Sequence, residues 1–240
     1  MIGRVLLAAL LAGVAAGFIM GAIQHVRTTP LILAAEVYEN APASHDRSAT
    51  QVQGSQTTTA EQPAVEAAEW QPADGWQRTL STTLTSILTG AGFAAMLAGI
   101  SLLVGIPITT TNGAIWGLCG FLAVTLAPAA GLPPELPGMP AGDLMARKVW
   151  WLATIGATGL ALYLIAARRE LWAIAAAVVL IALPHLIGAP QPPTHESGVP
   201  AGLEAAFVTN SIAAGAIFWV IIGVFLGFAL RKITKQVHAT

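Results

Sequence analysis

The chain has 240 residues, 55% of them hydrophobic and 10% charged, with a mean hydropathy of +0.69; soluble domains carry roughly 25% charged residues, so a soluble globular protein is excluded. The net charge of −1 leaves no basic surplus to neutralise phosphates, which removes nucleic acid from the partners to consider. A single cysteine, Cys119, allows neither a disulfide framework nor a paired-thiol metal or redox motif.

A helix that crosses the hydrocarbon needs roughly 20 mostly apolar residues. Six stretches meet this requirement: 5–23, 80–106, 112–131, 149–166, 171–188 and 207–230. They predict an all-α fold, a polytopic integral membrane helical bundle that forms one domain surrounded by membrane lipid. The third and fifth are the weakest of the six, because Pro128 and Pro184 fall near their C-terminal ends, and five spans is the alternative. The first stretch follows Arg4 and is longer than the ~7 to 15 residues of a signal-peptide core, so it reads as an uncleaved helix, with a signal peptide the other reading.

In chain order, the first span carries Gly13, Gly17 and Gly21 on one face, a small-residue stripe of the kind that lets helix backbones approach in lipid. Thr29 and Pro30 then read as the N-cap and first position of a short surface helix, on which Glu36 and Glu39, three apart, share a face. Residues 45–78 are polar and lack apolar periodicity, which predicts a disordered loop, with Trp70 and Trp76 marking re-entry at the membrane interface.

The second span has the stripe Ala91, Ala95 and Gly99, and six hydroxyls (Ser81, Thr82, Thr83, Thr85, Ser86 and Thr89) for either a polar conduit or interhelical hydrogen bonds. Gly113 and Gly117 open the third span, where Pro128 frees the carbonyl of Val124. The loop GLPPELPGMPAGD holds Glu135 between prolines, a candidate fixed ligand, and Trp150 and Trp151 mark the interface at the fourth span. In the fifth, Pro184 frees the carbonyl of Leu180 one turn below His185, the ionisable group nearest membrane depth. His195 and Glu196 place imidazole and carboxylate side by side in the fifth loop, and Gly223 with Gly227 continues the small-residue pattern in the sixth span.

With six spans and the N-terminus inside, six cations (Arg4, Arg168, Arg169, Arg231, Lys232 and Lys235) fall on the cytoplasmic side against four (Arg27, Arg78, Arg147 and Lys148) on the flanks of the outer loops, which favours cytoplasmic termini. Eleven of the twelve carboxylates and four of the five histidines then face outward. Imidazole and carboxylate suit borderline divalent ions, although ligand type cannot select cobalt over nickel or zinc. The candidate metal ligands are His185, His25, Glu36, Glu39, Glu135, His195 and Glu196. No P-loop, nucleophile elbow, H-E-x-x-H motif or intramembrane aspartate pair is present, so no enzyme activity and no resident cofactor are expected.

HVRTTPLILAAEVYE after the first span, GFLAVTLAPAAGLPPELPGMPAGDLMARKVWW across the third and into the fourth, and LPHLIGAPQPP at the end of the fifth resemble the CbtA family of predicted cobalt transporter subunits. The resemblance implies an integral membrane subunit, usually of five spans, for Co2+ uptake linked to cobalamin synthesis. It also implies a small one-span histidine-rich partner of the CbtB type. The leading expectation is therefore an inner-membrane permease component that captures cobalt on the outer face and passes it through the bundle. A non-transporting scaffold or assembly subunit is the alternative, and an intramembrane enzyme a distant third.

Overall fold

The computed structural model describes residues 2–39, 72–73, 75–168, 170–194 and 196–237, except for the side chains of Glu39 and of residues 233–237. The elements are α1 (Ile2–Arg27), α2 (Thr29–Glu39), α3 (Trp76–Val104), α4 (Gly113–Gly120), a π-helical turn (Phe121–Leu126), α5 (Ala127–Ala129), α6 (Leu144–Ala167), α7 (Leu171–Ile187) and α8 (Ala201–Val237). No strand occurs among the described residues, and the chain is a polytopic helical bundle with a lipid-like exterior: Leu103 and Leu171, for example, are 87% and 85% exposed.

Each of the six expected spans lies on a helix. α1, α3, α6 and α8 are long and apolar enough to cross a membrane, whereas Gly113–Ala129 and α7 are shorter apolar helices. At 1.5 Å per residue the 17 residues of α7 reach about 25 Å, near the lower limit for a span. α3 starts at Trp76, so the last three residues of the expected polar loop 45–78 are helical. Most of that loop, with Trp70 and Asp74, lies outside the described residues. The short surface helix is present, with its start moved forward by one residue: it begins at Thr29, and the hydroxyl of Thr28 donates back to the carbonyl of Gln24 to close α1.

Lipid supplies no hydrophobic force between helices, so the bundle is built where side chains are smallest. An added Cβ on Gly13 would run into the backbone of Gly90 and Ala91, one on Gly17 into Ser86 and Ile87, and one on Gly21 into Thr83. The pairs descend along α3 as they climb α1, so the two helices are antiparallel and nearly in backbone contact. On α3 the buried stripe is Ser86, Gly90, Ala94, Ala98 and Ser101, one position off the expected Ala91, Ala95 and Gly99. Gly99 faces open space.

A second antiparallel seam joins α4 to α8, where Gly113 and Gly117 press on the backbone of Gly223 and Trp219, and Gly227 meets Thr109. Gly120 makes room for the ring of Trp219, which is 1% exposed. That ring stacks on Phe93 of α3 at 4.5 Å between centroids, and its Nε1 donates to Thr125 Oγ1 at 3.0 Å. Thr125 lies on the π-helical turn, which ends two residues before Pro128. Proline offers no N–H to the carbonyl of Val124, and the ladder is rerouted just upstream, with the N–H of Ala127 reaching Leu122, five residues back.

Candidate functional site

α6 and α7 form the third antiparallel pair, joined to the rest largely through the π-helical turn and α5. Asp143 starts α6 by accepting a hydrogen bond from the Ala146 N–H at 2.7 Å, a side-chain N-cap. That fixes the first turns of α6, from which Arg147 and Trp150 project. Arg147 Nη2 donates to Glu135 Oε2 at 2.7 Å. Trp150, 7% exposed, donates from Nε1 to the carbonyl of Pro184 at 3.0 Å and meets the imidazole of His185 edge-on, with centroids 5.8 Å apart and planes at 70°. The bare acceptor anticipated at Leu180 is therefore not the group the indole reaches; the carbonyl of Pro184 itself takes that bond, together with one from the N–H of Gly188. His185 is half-buried at the end of α7.

A second corner forms where α1, α2 and α3 meet. Glu36 on α2 forms an ion pair with Arg78 on α3. One residue along α3, Thr79 lies with its Oγ1 3.4 Å from Nδ1 of the exposed His25. The corners belong to one end of the molecule. Ala35, next to Glu36, and Leu136, next to Glu135, share an apolar cluster with Val199 that Ile32, Met139, Leu203 and Phe207 complete. This cluster ties the surface helix, the proline-rich loop and the start of α8 into a cap over the bundle.

His25, Glu36, Glu135 and His185 are thus gathered at one end, in two corners. Glu196 is exposed in the loop before α8. The side chain of Glu39 and all of His195 lie outside the described residues. Among the described residues no three His, Cys, Asp or Glu side chains come close enough together to hold one metal ion. The half-buried carboxylates of Glu36 and Glu135 are engaged by arginines instead.

The hydroxyls of α3 serve packing rather than a polar passage. Thr83 bonds back to the carbonyl of Thr79, Ser86 to the carbonyl of Thr82 and to Gln24 Oε1 across the α1 seam at 2.7 Å, and Thr85 and Thr89 face outward. Thr209 and Asn210 likewise bond back to the carbonyls of Ala205 and Ala206.

Sequence reasoning missed the two arginines and misread Trp150. Arg78 and Arg147 lie 42 and 12 residues from their acids, with no local pattern to pair them. Trp150 was expected at the lipid interface, and the structure buries it against α7.

The fold and its apolar surface define a multi-pass membrane protein in which His25, Glu36, Glu135 and His185 lie at one end. Residues 2–231 match the family model described as probable cobalt transporter subunit (CbtA), and the chain belongs to that family. The family description makes the chain a probable cobalt transporter subunit, and a subunit implies partners. No curated protein and no solved structure matches the chain.

Proposed function

We propose that this chain is the membrane component of a cobalt uptake system, carrying Co2+ inward through the cytoplasmic membrane for cobalamin synthesis. The observation that carries this reading is the family match over nearly the whole chain. On this reading six helices cross the bilayer, α7 and the Gly113–Ala129 segment included, with both termini in the cytoplasm and the capped end outward. His185 is the central ligand. His25, Glu36, Glu39, Glu135, His195 and Glu196 contribute donors or charge around it, and the arginines exchange their carboxylates with the incoming ion. A transition metal needs several donors, and the spread of these groups over two corners supports a share in ligation by a one-span histidine-rich subunit of the CbtB type.

A second reading, a non-transporting scaffold, is favoured by the ion pairs at Glu36 and Glu135, which already satisfy the carboxylates. Radioactive cobalt uptake by cells that express the chain, with and without the one-span neighbour, separates the two. Transport predicts uptake that depends on this chain at constant partner abundance. A scaffold predicts that uptake follows only the amount of partner in the membrane.

A further inference from the structure

Between α3 and α6 lies an apolar cleft of about 460 Å³, floored by α4. Met96 and Ile100 form one wall, Gly159 and Tyr163 the other, and Trp116 and Cys119 the floor. Among the described residues, Asn112 is the only side-chain amide that lines it, and no carboxylate, imidazole or cation does. A metal ion would find no set of donors there.

The cleft exists for a structural reason. α4 is held against α8 by the backbone contacts of Gly113 and Gly117, so it cannot move across to fill the gap. The α6 wall is cut back at Gly156 and Gly159, where an added Cβ would have nothing within 4 Å. Empty space of this size forfeits dispersion contacts along every wall, and in a membrane the medium available to restore them is lipid.

We propose that this cleft holds one acyl chain of an anionic phospholipid. Its predominantly apolar lining suits an acyl chain. Charge at its end selects the headgroup. The cleft runs toward Val104, Ile106, Asn112 and Ala166, where α3 and α6 finish and α4 begins. Two residues past Ala166, Arg168 ends α6 and is exposed. Among the described side chains, the other charged groups at this end are Arg4, Arg231, Lys232 and the single acid Glu170. A phosphate at this level meets a cationic rim, with Arg168 its nearest anchor along the chain.

The test is native mass spectrometry of the purified full-length chain in detergent with added phosphatidylglycerol or phosphatidylcholine. The unsubstituted chain retains one phosphatidylglycerol under activation that strips other lipid. Gly159→Leu fills the cleft and lowers retention about tenfold, whereas Gly99→Leu, on α3 outside the cleft, leaves it unchanged. Arg168→Gln lowers the preference for phosphatidylglycerol over phosphatidylcholine about fivefold, the worth of one cation at a membrane surface. Failure of the unsubstituted chain to retain lipid overturns the assignment, and so does equal retention by the two leucine variants. Efficient joining of two chains through Cys119 by a bifunctional thiol reagent in membranes would assign the cleft to a second copy instead. The unsubstituted chain and Arg168→Gln change no packing, so the test stands even where Gly159→Leu does not accumulate.

Discussion

Trp150 donates its indole N–H to the carbonyl of Pro184 at 3.0 Å, across 34 residues of sequence. The bond lies between two buried residues and binds the first turns of α6 to the last turn of α7. The six-membered ring fits over Gly131, where an added Cβ would strike it. One side chain therefore sets the position of His185 and of the loops on either side. Trp150→Phe keeps most of the ring and removes the donor, so it should cost about 1 kcal/mol. Trp150→Ala also opens a cavity and should cost about 3–5 kcal/mol. Unfolding of the purified protein in mild detergent measures both; no loss in Trp150→Phe would mean that the hydrogen bond contributes nothing, and equal losses that the ring's packing does not.

The glycines divide into two groups with opposite expected responses. Gly117→Ala forces a methyl into the backbone of Trp219 and should destabilise by about 1–3 kcal/mol, the range for overpacking. Gly92 and Gly99 face open space on α3, so alanine there should be neutral or stabilise by up to about 1 kcal/mol through helix propensity. If Gly117→Ala and Gly99→Ala melt alike, the α4 to α8 seam is looser than described.

How much of this was legible in the sequence depends on what kind of contact was involved. Gly13, Gly17 and Gly21 announced the α1 face because glycine at that spacing has few other uses in lipid. The register on α3 was misjudged by one residue: in a helix that is apolar all round, hydrophobic periodicity does not mark the buried face, and Ala91, Ala95 and Gly99 look as good a stripe as Ser86, Gly90 and Ala94. A tryptophan near the start of a span reads the same whether it floats at the interface or reaches inward, and only the partner carbonyl on α7 distinguishes them. Pro128 foretold a break in the ladder but not its repair by a π-helical turn, on which Thr125 accepts the bond from Trp219. The gathering of Glu36 and Glu135 at one end followed from alternating spans, while their capture by Arg78 and Arg147 is a long-range matter that no local pattern encodes.

The ion pair between Glu135 and Arg147 is about one-quarter exposed on each side. Such pairs are worth little individually, so a double-mutant cycle with Glu135→Gln and Arg147→Gln should give a coupling of about 1 kcal/mol or less. Transport should respond asymmetrically. If Glu135 is a cobalt donor as proposed, Glu135→Gln should lower uptake at limiting metal, whereas Arg147→Gln releases the carboxylate and should not. Equal losses at equal protein levels would make the pair a structural tie with no part in capture.

Orientation is open to direct measurement, because Cys119 is the chain's one cysteine. In a Cys119→Ala background, Glu196→Cys should react with an impermeant thiol reagent in intact cells, since Glu196 is exposed at the capped end. Arg168→Cys, at the opposite end, should react only after the cells are opened. The reverse pattern would put the acidic end in the cytoplasm and turn capture into release.

His185 offers the sharpest separation of ligand from packing. It is half-buried, on the last turn of α7, and its ring is steadied by the edge-on contact with Trp150. It shares its end of the bundle with Glu36 and Glu135, whose negative charge would balance a divalent ion. A neutral imidazole can ligate such an ion and release it again when water completes the coordination sphere. His185→Ala should lower cobalt uptake, but it also removes a ring from contact with Trp150, so a loss there has two explanations. His185→Gln keeps polarity and approximate length and is a poor transition-metal ligand. Uptake should fall with glutamine as far as with alanine, while the amount of protein in the membrane and its unfolding midpoint stay near those of the parent. If His185→Gln transports as well as the parent, the imidazole is a packing partner of Trp150 and not a cobalt ligand.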